Sequence, residues 1–381
     1  MVRKEREVVS TGLALGGLAG NNAHGAGVLQ ATLDYDVEPE LISCTSGQIH
    51  WVARYLKARN AEGPRRKTLR RALKEDIDSL SPTKIEAIDA TWAALTGKPH
   101  VFRPALQEFP LNVARNLSAA LTKIVTSAST NWQTLFSSYR EFAGILPAQT
   151  LVPLFPDSFF QEINDDFNQT KDVGIVFNSY DVHNGEEYVY LNDRARNLLD
   201  VAYGEHDRYR QGTTYRRISP EAVREGLWLY EYGEPRDVGA IDGAYYRQVM
   251  LSELSRARTI YVARPINSRW LGSFPSSWIG LEDLKTEVNF NGTYSGERDK
   301  IALLNKLLGE KAINARKVSR KGYHQIKLVE FEIQTQQGYF DYAHEYLAVF
   351  DRAYDEVQPA FARHKDYSNE PSRETKGTNA P

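Results

Sequence analysis

The chain has 381 residues, 41% hydrophobic and 25% charged, which is ordinary for a globular protein and enough for one large domain. The net charge of −2 predicts no general attraction to nucleic acid, and the single cysteine excludes a disulfide within the chain and a cysteine-based metal site. The charged first ten residues lack the apolar core of a secretory signal, and no apolar run approaches the ~20 residues of a membrane-spanning helix. We therefore expect a cytoplasmic protein, with only peripheral membrane contact if it has any.

The first predicted unit alternates strands and helices between residues 11 and 55. The apolar run 13–15 predicts a short strand that ends at a glycine pair, and the apolar spacing within 26–33 predicts the helix that follows. A second apolar run begins at Leu41 and ends at Cys44-Thr45-Ser46-Gly47, directly before another helical pattern at 49–56. A strand that stops at a serine and turns at once into a helix exposes the hydroxyl and places helix N–H groups beside it. Ser46 is therefore the candidate nucleophile.

The next segment, 60–165, is predicted to be mainly helical. The stretch 57–81, which overlaps its beginning, is polar and rich in arginine and lysine. This composition favours a solvated helix face over the alternative of a surface that binds lipid phosphates. Helical patterns follow from Ser81, over 113–124 and over 132–142. The aromatic spacing of the last pattern is more typical of a core face than of a lipid groove.

The second half of the chain is predicted to return to strands. Residues 173–177 and 187–191 predict two strands joined by a turn at Asn184-Gly185, and the Asp181 carboxylate is expected to accept N–H groups within that turn. The remaining predicted elements are a loop at 203–217, helices at 222–230 and 246–254, a strand at 259–263, a helix at 301–308, a strand at 326–333, a helix at 340–361 and a disordered tail at 365–381.

Four motifs in this order resemble the patatin-like phospholipase family. Leu13-Ala14-Leu15-Gly16-Gly17, Gly27-Val28-Leu29 and Thr45-Ser46-Gly47 match that family's first half, and Asp242-Gly243-Ala244 matches the aspartate motif that the family pairs with its serine. The resemblance covers about residues 10–60 and 170–310, where the later part is similar to bacterial members. It implies a three-layer α/β/α fold with a mainly parallel sheet and one domain over 1–364, in which the insertion 60–165 caps the site.

The resemblance also implies the chemistry, which is hydrolysis of a lipid or another acyl ester through a serine ester. Ser46 would attack the carbonyl carbon and Asp242 would accept its proton, so no histidine, metal or cofactor is expected. The oxyanion is expected to lie against the backbone N–H groups of Gly17, Leu18 and Ala19.

Several residues depart from the family pattern. Gln48 stands where a small residue normally flanks the elbow, so its amide is predicted to contact the substrate, and His50 is a second candidate contact for which a packing role is favoured. Leu18 and Ala19 replace glycines and would be strained if the loop needs a positive φ.

Two alternatives stay open beside the hydrolase, and two further interpretations are less favoured. Cys44 as the nucleophile is less favoured than a cysteine that packs beneath the turn, and the glycines at 12–20 do not keep the spacing of a dinucleotide-binding loop. A patatin-like scaffold without turnover would bind a lipid or a protein partner. An acyltransferase would pass the acyl group to an alcohol instead of water.

Overall fold

The fold is built on an eight-stranded, mainly parallel central sheet. Its strands are β1 Val9–Leu15, β2 Leu41–Cys44, β5 Gly174–Asp181, β6 Glu186–Leu191, β7 Thr213–Arg217, β8 Ile241–Asp242, β9 Ala257–Arg264 and β10 Lys327–Glu332. They lie in the order β10-β9-β1-β2-β5-β6-β7, and β8 pairs with β5. A separate antiparallel pair is formed by β3 Phe102–Pro104 and β4 Leu151–Pro153. β6 and β8 run antiparallel to β5, whereas β1, β2, β5, β9 and β10 run parallel to their neighbours along the middle of the sheet.

A computed structural model gives this fold, and it describes most of the chain. The described residues are 7–18, 22–61, 68–80, 102–104, 108–126, 151–153, 155–208, 210–233, 239–276, 278–310, 324–332 and 347–364. The predicted helix that begins at Ser81, the aromatic pattern at 132–142 and the tail at 365–381 lie outside these residues, as do parts of the predicted cap.

Helices cover both faces of the sheet. They are α1 Ala23–Asp34, α2 Gln48–Asn60, α3 Thr68–Leu80, α4 Glu108–Thr126, α5 Asp157–Gln169, α6 Asp193–Leu199, α7 Pro220–Gly226, α8 Trp278–Gly309 and α9 Leu347–Ala362. One core contains side chains of α1, α2, α3, α5, α7 and α9, and the other contains side chains of α6 and α8. The predicted three-layer arrangement is therefore confirmed.

Alternation along the strands explains the two cores. Leu13 and Leu15 of β1 belong to one core and Ala14 to the other, because successive side chains of a strand point to opposite faces. A parallel sheet covered on both faces needs apolar residues at consecutive positions, which is why β1 contains the apolar run 13–15 and β5 the run 175–177. The same runs made these strands predictable.

The turn between β5 and β6 has the predicted structure. Gly185 has a φ of 70°. The Asp181 carboxylate accepts the backbone N–H groups of His183 at 2.9 Å and Asn184 at 3.1 Å, and it also accepts the Tyr188 hydroxyl at 2.9 Å. The local role expected for Asp181 is confirmed.

The predicted helix 301–308 is the last part of a longer helix, α8. Two predictions are wrong. The predicted loop 203–217 contains β7, which pairs in parallel with β6. The predicted helix 246–254 is absent, because this stretch is a turn that joins the short 3₁₀ helix Gly243–Tyr245 to a second one, Ser252–Leu254. Its apolar spacing reflects a buried turn whose side chains enter the core of α6 and α8.

In the described part of the chain, no helix combines the length and the apolar character needed to cross a bilayer.

Candidate active site

Ser46 lies in a sharp turn between β2 and α2. Its φ is 55°, and the other non-glycine residues with positive φ among those described are Asp36 and Asp200. A left-handed conformation is unfavourable for a residue with a Cβ, so the surrounding structure must hold it in place. The helix begins immediately after Ser46: the Ile49 N–H donates a hydrogen bond to the Ser46 carbonyl at 2.9 Å. This is the strand-turn-helix geometry expected of a nucleophile elbow.

The glycine loop packs directly on this turn. A Cβ at Gly17 would overlap the Thr45 carbonyl oxygen and the Cβ of Ser46, so only glycine allows the two segments to approach this closely. At Gly47 a Cβ would overlap the Nδ2 of Asn22, so the Asn22 side chain would have to move. The glycines at these two positions are therefore explained by close packing and not by positive φ.

The backbone donors predicted for the oxyanion are already used within the protein. The Gly17 N–H donates to Thr45 Oγ1 at 2.8 Å, and the Leu18 N–H donates to Asn22 Oδ1 at 3.2 Å. Ala19 lies outside the described residues. The strain expected at Leu18 is not found, because its φ is not positive.

Asp242 is brought to the same place by the sheet. β2 pairs with β5 as far as Ser43, opposite Val176, and β8 pairs with β5 three residues further on, with Asp242 opposite Ser179. The other edge of β5 is occupied by β6 over this length, so β8 takes the position directly beyond the end of β2. Ser46 and Asp242 therefore lie at one end of the sheet, on the same edge of β5, where neighbouring strands are about 4.8 Å apart.

The Asp242 carboxylate is held by the turn that follows it. Its Oδ1 accepts the Ala244 N–H at 2.8 Å, and its own N–H donates to the Trp228 carbonyl at 2.8 Å. Asp242 and Ser46 are each 1% exposed. The Ser46 hydroxyl makes no hydrogen bond to Asp242 or to any other described residue.

The segment after Asp242 is tied to the elbow by side chain to backbone bonds. The Thr45 hydroxyl donates to the Gln248 carbonyl at 2.7 Å, and the Gln248 Nε2 donates to the Gly17 carbonyl at 2.9 Å. The Ser43 hydroxyl donates to the Met250 carbonyl at 2.7 Å. These bonds join the glycine loop, the end of β2 and the segment that follows Asp242.

Arg247 anchors the same segment on its other side. Its guanidinium bonds to Glu187 at 2.9 Å, to both oxygens of Glu253 at 2.8 Å and to Glu297 at 3.2 Å. All four side chains are at most 5% exposed. We refer to Glu187, Glu253 and Glu297 as the carboxylate cage.

Two neighbouring arginines favour the charged form of Glu253. Burial alone would raise the pKa of Glu253, but the charges of Arg210 and Arg247 outweigh burial and hold that pKa well below its usual value. Sequence reasoning missed the cage, since its members come from β6, the turn at 252–254 and α8, and no local pattern connects them.

The Gln48 side chain lies between α1 and α2. Its side chain is fully buried and packs against α1, where a Cβ at Gly25 would overlap the amide. The Nε2 donates to the Asn22 carbonyl at 3.2 Å. This placement gives Gln48 a packing role between α1 and α2, and its contact with the substrate stays a prediction.

His50 lies against aromatic side chains of α2 and α5. Its ring stacks on Phe159 of α5 with centroids 5.4 Å apart and meets Trp51 edge to face at 5.5 Å. Burial lowers its pKa to about 3, and the charges of Arg54 and Lys57 add to the shift. This placement agrees with the packing role and not with substrate contact.

Two other titratable side chains near the elbow are buried. Cys44 is fully buried in the core, and burial raises the pKa of its thiol far above neutrality, which disfavours it as a nucleophile. His24, in the first turn of α1, is 2% exposed, and burial lowers its pKa to about 4. Neither ring nitrogen of His24 has a hydrogen-bond partner among the described residues.

A small apolar cluster includes residues that directly follow two of the site motifs. Leu18 follows the glycine pair and Tyr245 follows the aspartate motif, and both pack with Ile266 and Phe290. The cluster thus joins the glycine loop, the turn after β8, the loop after β9 and α8. Within the described part of the chain, no three His, Cys, Asp or Glu side chains are arranged to hold a metal ion.

Comparison with known proteins adds no identity to this geometry. No family model matches the chain, and no curated protein matches it.

Proposed function

We propose that the chain is a serine acyl-ester hydrolase in which Ser46 is the nucleophile and Asp242 is the general base. The observation that carries the proposal is the positive φ of Ser46 at a strand-to-helix turn, on the edge of β5 that also holds Asp242. The resemblance to patatin-like phospholipases supports the same pair and favours a lipid or similar ester as substrate.

The chemical steps need only these two side chains and water. The Ser46 hydroxyl attacks the ester carbonyl and a bond forms between Oγ and the carbonyl carbon, while Asp242 accepts the proton. The bond from that carbon to the alkoxy oxygen then breaks, and Asp242 returns the proton to the departing alcohol. Water attacks the acyl-serine with Asp242 again as base, which releases the acid and restores Ser46.

The backbone N–H of Gly47 is the donor we assign to the oxyanion. It follows the nucleophile at the N-terminus of α2, and no described residue accepts a hydrogen bond from it. The Gly17 N–H would contribute only after it leaves Thr45 Oγ1. Losing one such donor typically costs about 3 kcal/mol in barrier height.

A scaffold without turnover is the second candidate. It is favoured by the occupied N–H groups of Gly17 and Leu18 and by the absence of a hydrogen bond between Ser46 and Asp242. Catalytic hydrogen bonds are often formed only when substrate binds, so this geometry is compatible with both candidates.

Covalent labelling with a fluorophosphonate, combined with turnover of nitrophenyl and phospholipid esters, tests the proposal. We expect labelling at Ser46 and its loss in Ser46→Ala. Asp242→Asn retains an acceptor for the Ala244 N–H but cannot take a proton, so turnover should fall about 10²- to 10⁴-fold with the fold intact. Cys44→Ala is the control and should still label. A folded wild-type protein that neither labels nor hydrolyses any of these esters would establish the scaffold instead.

A further inference from the structure

The turn that carries Asp242 is fixed by one buried arginine. The Arg247 N–H donates to the Gly243 carbonyl at 2.8 Å, so the backbone of Arg247 closes the turn that begins at Asp242. Asn178 Nδ2 bonds to the same carbonyl at 3.3 Å and to Glu187 at 2.8 Å. The guanidinium also bonds to Glu187, so the turn and the carboxylate cage share one set of contacts.

The cage itself is held by rigid elements. Glu187 belongs to β6 in the central sheet, and Glu297 belongs to α8. Besides Arg247, Glu297 accepts the N–H groups of Leu251 at 3.1 Å and Ser252 at 2.8 Å. The two-pronged bond from Arg247 to Glu253 then fixes the guanidinium plane. Residues 243–252 are therefore anchored at both ends to the same buried charges.

The next residue connects this anchor to the nucleophile. The Gln248 carbonyl accepts the Thr45 hydroxyl, and the Gln248 side chain donates to the Gly17 carbonyl. Thr45 directly precedes Ser46 in the chain, and Gly17 packs against the Ser46 Cβ. The position of Arg247 thus determines where Gln248 meets the elbow. A shift of the turn by about 1 Å would change the geometry between base and nucleophile, and such shifts typically lower rates about 10²-fold.

We propose that Arg247 is a positioning residue, which sets the Asp242 turn against the Ser46 elbow through the carboxylate cage. The proposal rests on the proposed function, because it assigns how that Ser46–Asp242 pair is held. The fork of the guanidinium is essential to it, since a lysine keeps the charge but cannot make two parallel bonds to Glu253 while also reaching Glu187.

The test compares Arg247→Lys and Arg247→Met with the matched control Arg210→Met. Arg210 bonds to Glu253 at 2.6 Å and to Glu187 at 3.4 Å, so its loss removes a cation from the same cage without touching residues 243–248. We expect Arg247→Lys to remain folded, with kcat and the rate of fluorophosphonate labelling lowered about 10- to 100-fold and KM changed less than about 2-fold. Arg210→Met should lose comparable thermal stability but keep kcat within about 3-fold of the wild type.

Equal kcat in Arg247→Lys and the wild type would overturn the proposal, and so would an equal fall of kcat in Arg210→Met. Hydrogen exchange supplies a readout that does not depend on activity. In Arg247→Lys the amides of 243–250 should exchange faster, while those of 174–178 in β5 stay protected.

If the wild type neither labels nor turns over, the proposed function fails, and exchange alone decides whether Arg247 holds the turn. Unchanged hydrogen exchange at residues 243–250 in Arg247→Lys would then refute the positioning role of Arg247. Should Arg247→Met not fold, the Arg247→Lys comparison still decides the question.

Discussion

Gly17 lies so close to Ser46 that no side chain fits between the glycine loop and the elbow. A Cβ at Gly17 would be 2.8 Å from the Thr45 carbonyl carbon and would overlap both the adjoining oxygen and the Ser46 Cβ. Any larger residue must push the elbow away from the loop. This contact makes the conformation of Ser46 depend on a residue 29 positions earlier in the chain.

We predict that Gly17→Ala lowers ester turnover by at least about 10²-fold, because it moves the nucleophile from its position above the sheet. It should also reduce the free energy of unfolding by about 1–3 kcal/mol, which is typical of overpacking. Gly292→Ala in α8 is the control, since a Cβ there has no heavy atom within 4 Å, and it should leave turnover unchanged. Steady-state kinetics and urea denaturation of both variants measure these effects. Wild-type turnover in Gly17→Ala would contradict the described packing.

Gln48 provides a test of packing against substrate contact. Because its amide fills the space beside Gly25, we expect Gln48→Ala to lower the free energy of unfolding by about 2–3 kcal/mol, while KM for short and long esters stays unchanged. Gln48→Met keeps most of the side-chain volume and should recover part of this loss. A 10-fold rise of KM in both folded variants would restore the predicted role of Gln48 in substrate binding.

His24 makes the stability of the fold depend on pH. Its pKa is about 4 in the folded protein against 6.5 when exposed, so the unfolded chain binds the proton first as the pH falls. The free energy of unfolding should therefore decrease between pH 6.5 and pH 4, by up to about 3 kcal/mol from this group, and should be largest above pH 6.5.

Chemical denaturation at pH 7, 5.5 and 4.5 measures this dependence in the wild type and in His24→Leu. The apolar variant leaves no ring nitrogen to protonate, so its stability should fall less over this range. Cys44→Ala is a buried control whose thiol does not titrate there, and it should keep the wild-type slope. An identical slope in His24→Leu would show that His24 is not the group responsible.

The turn at Ser46 and the strands around it could be predicted from local sequence. Apolar runs at 13–15, 41–44 and 259–263 are continuous because both faces of a parallel sheet are buried, and this pattern is visible without any tertiary contact. The same holds for the turn at Asn184-Gly185, where Gly185 supplies the positive φ. The apolar spacing at 246–254 misled the prediction, because a buried turn and a helix can place the same side chains in a core.

Sequence by itself determined the central strands β1, β2, β5 and β9 and the turn at Ser46, since each depends on residues only a few positions apart. The tertiary structure decided which polar groups meet. It gave the Gly17 and Leu18 N–H groups their acceptors, buried Gln48 against α1, and placed Arg247 among carboxylates from three separate elements. Thr45 and Gln248 are 203 residues apart, yet they share a 2.7 Å hydrogen bond. A buried polar group must find a partner, and only the folded arrangement of the sheet determines which partner is within reach.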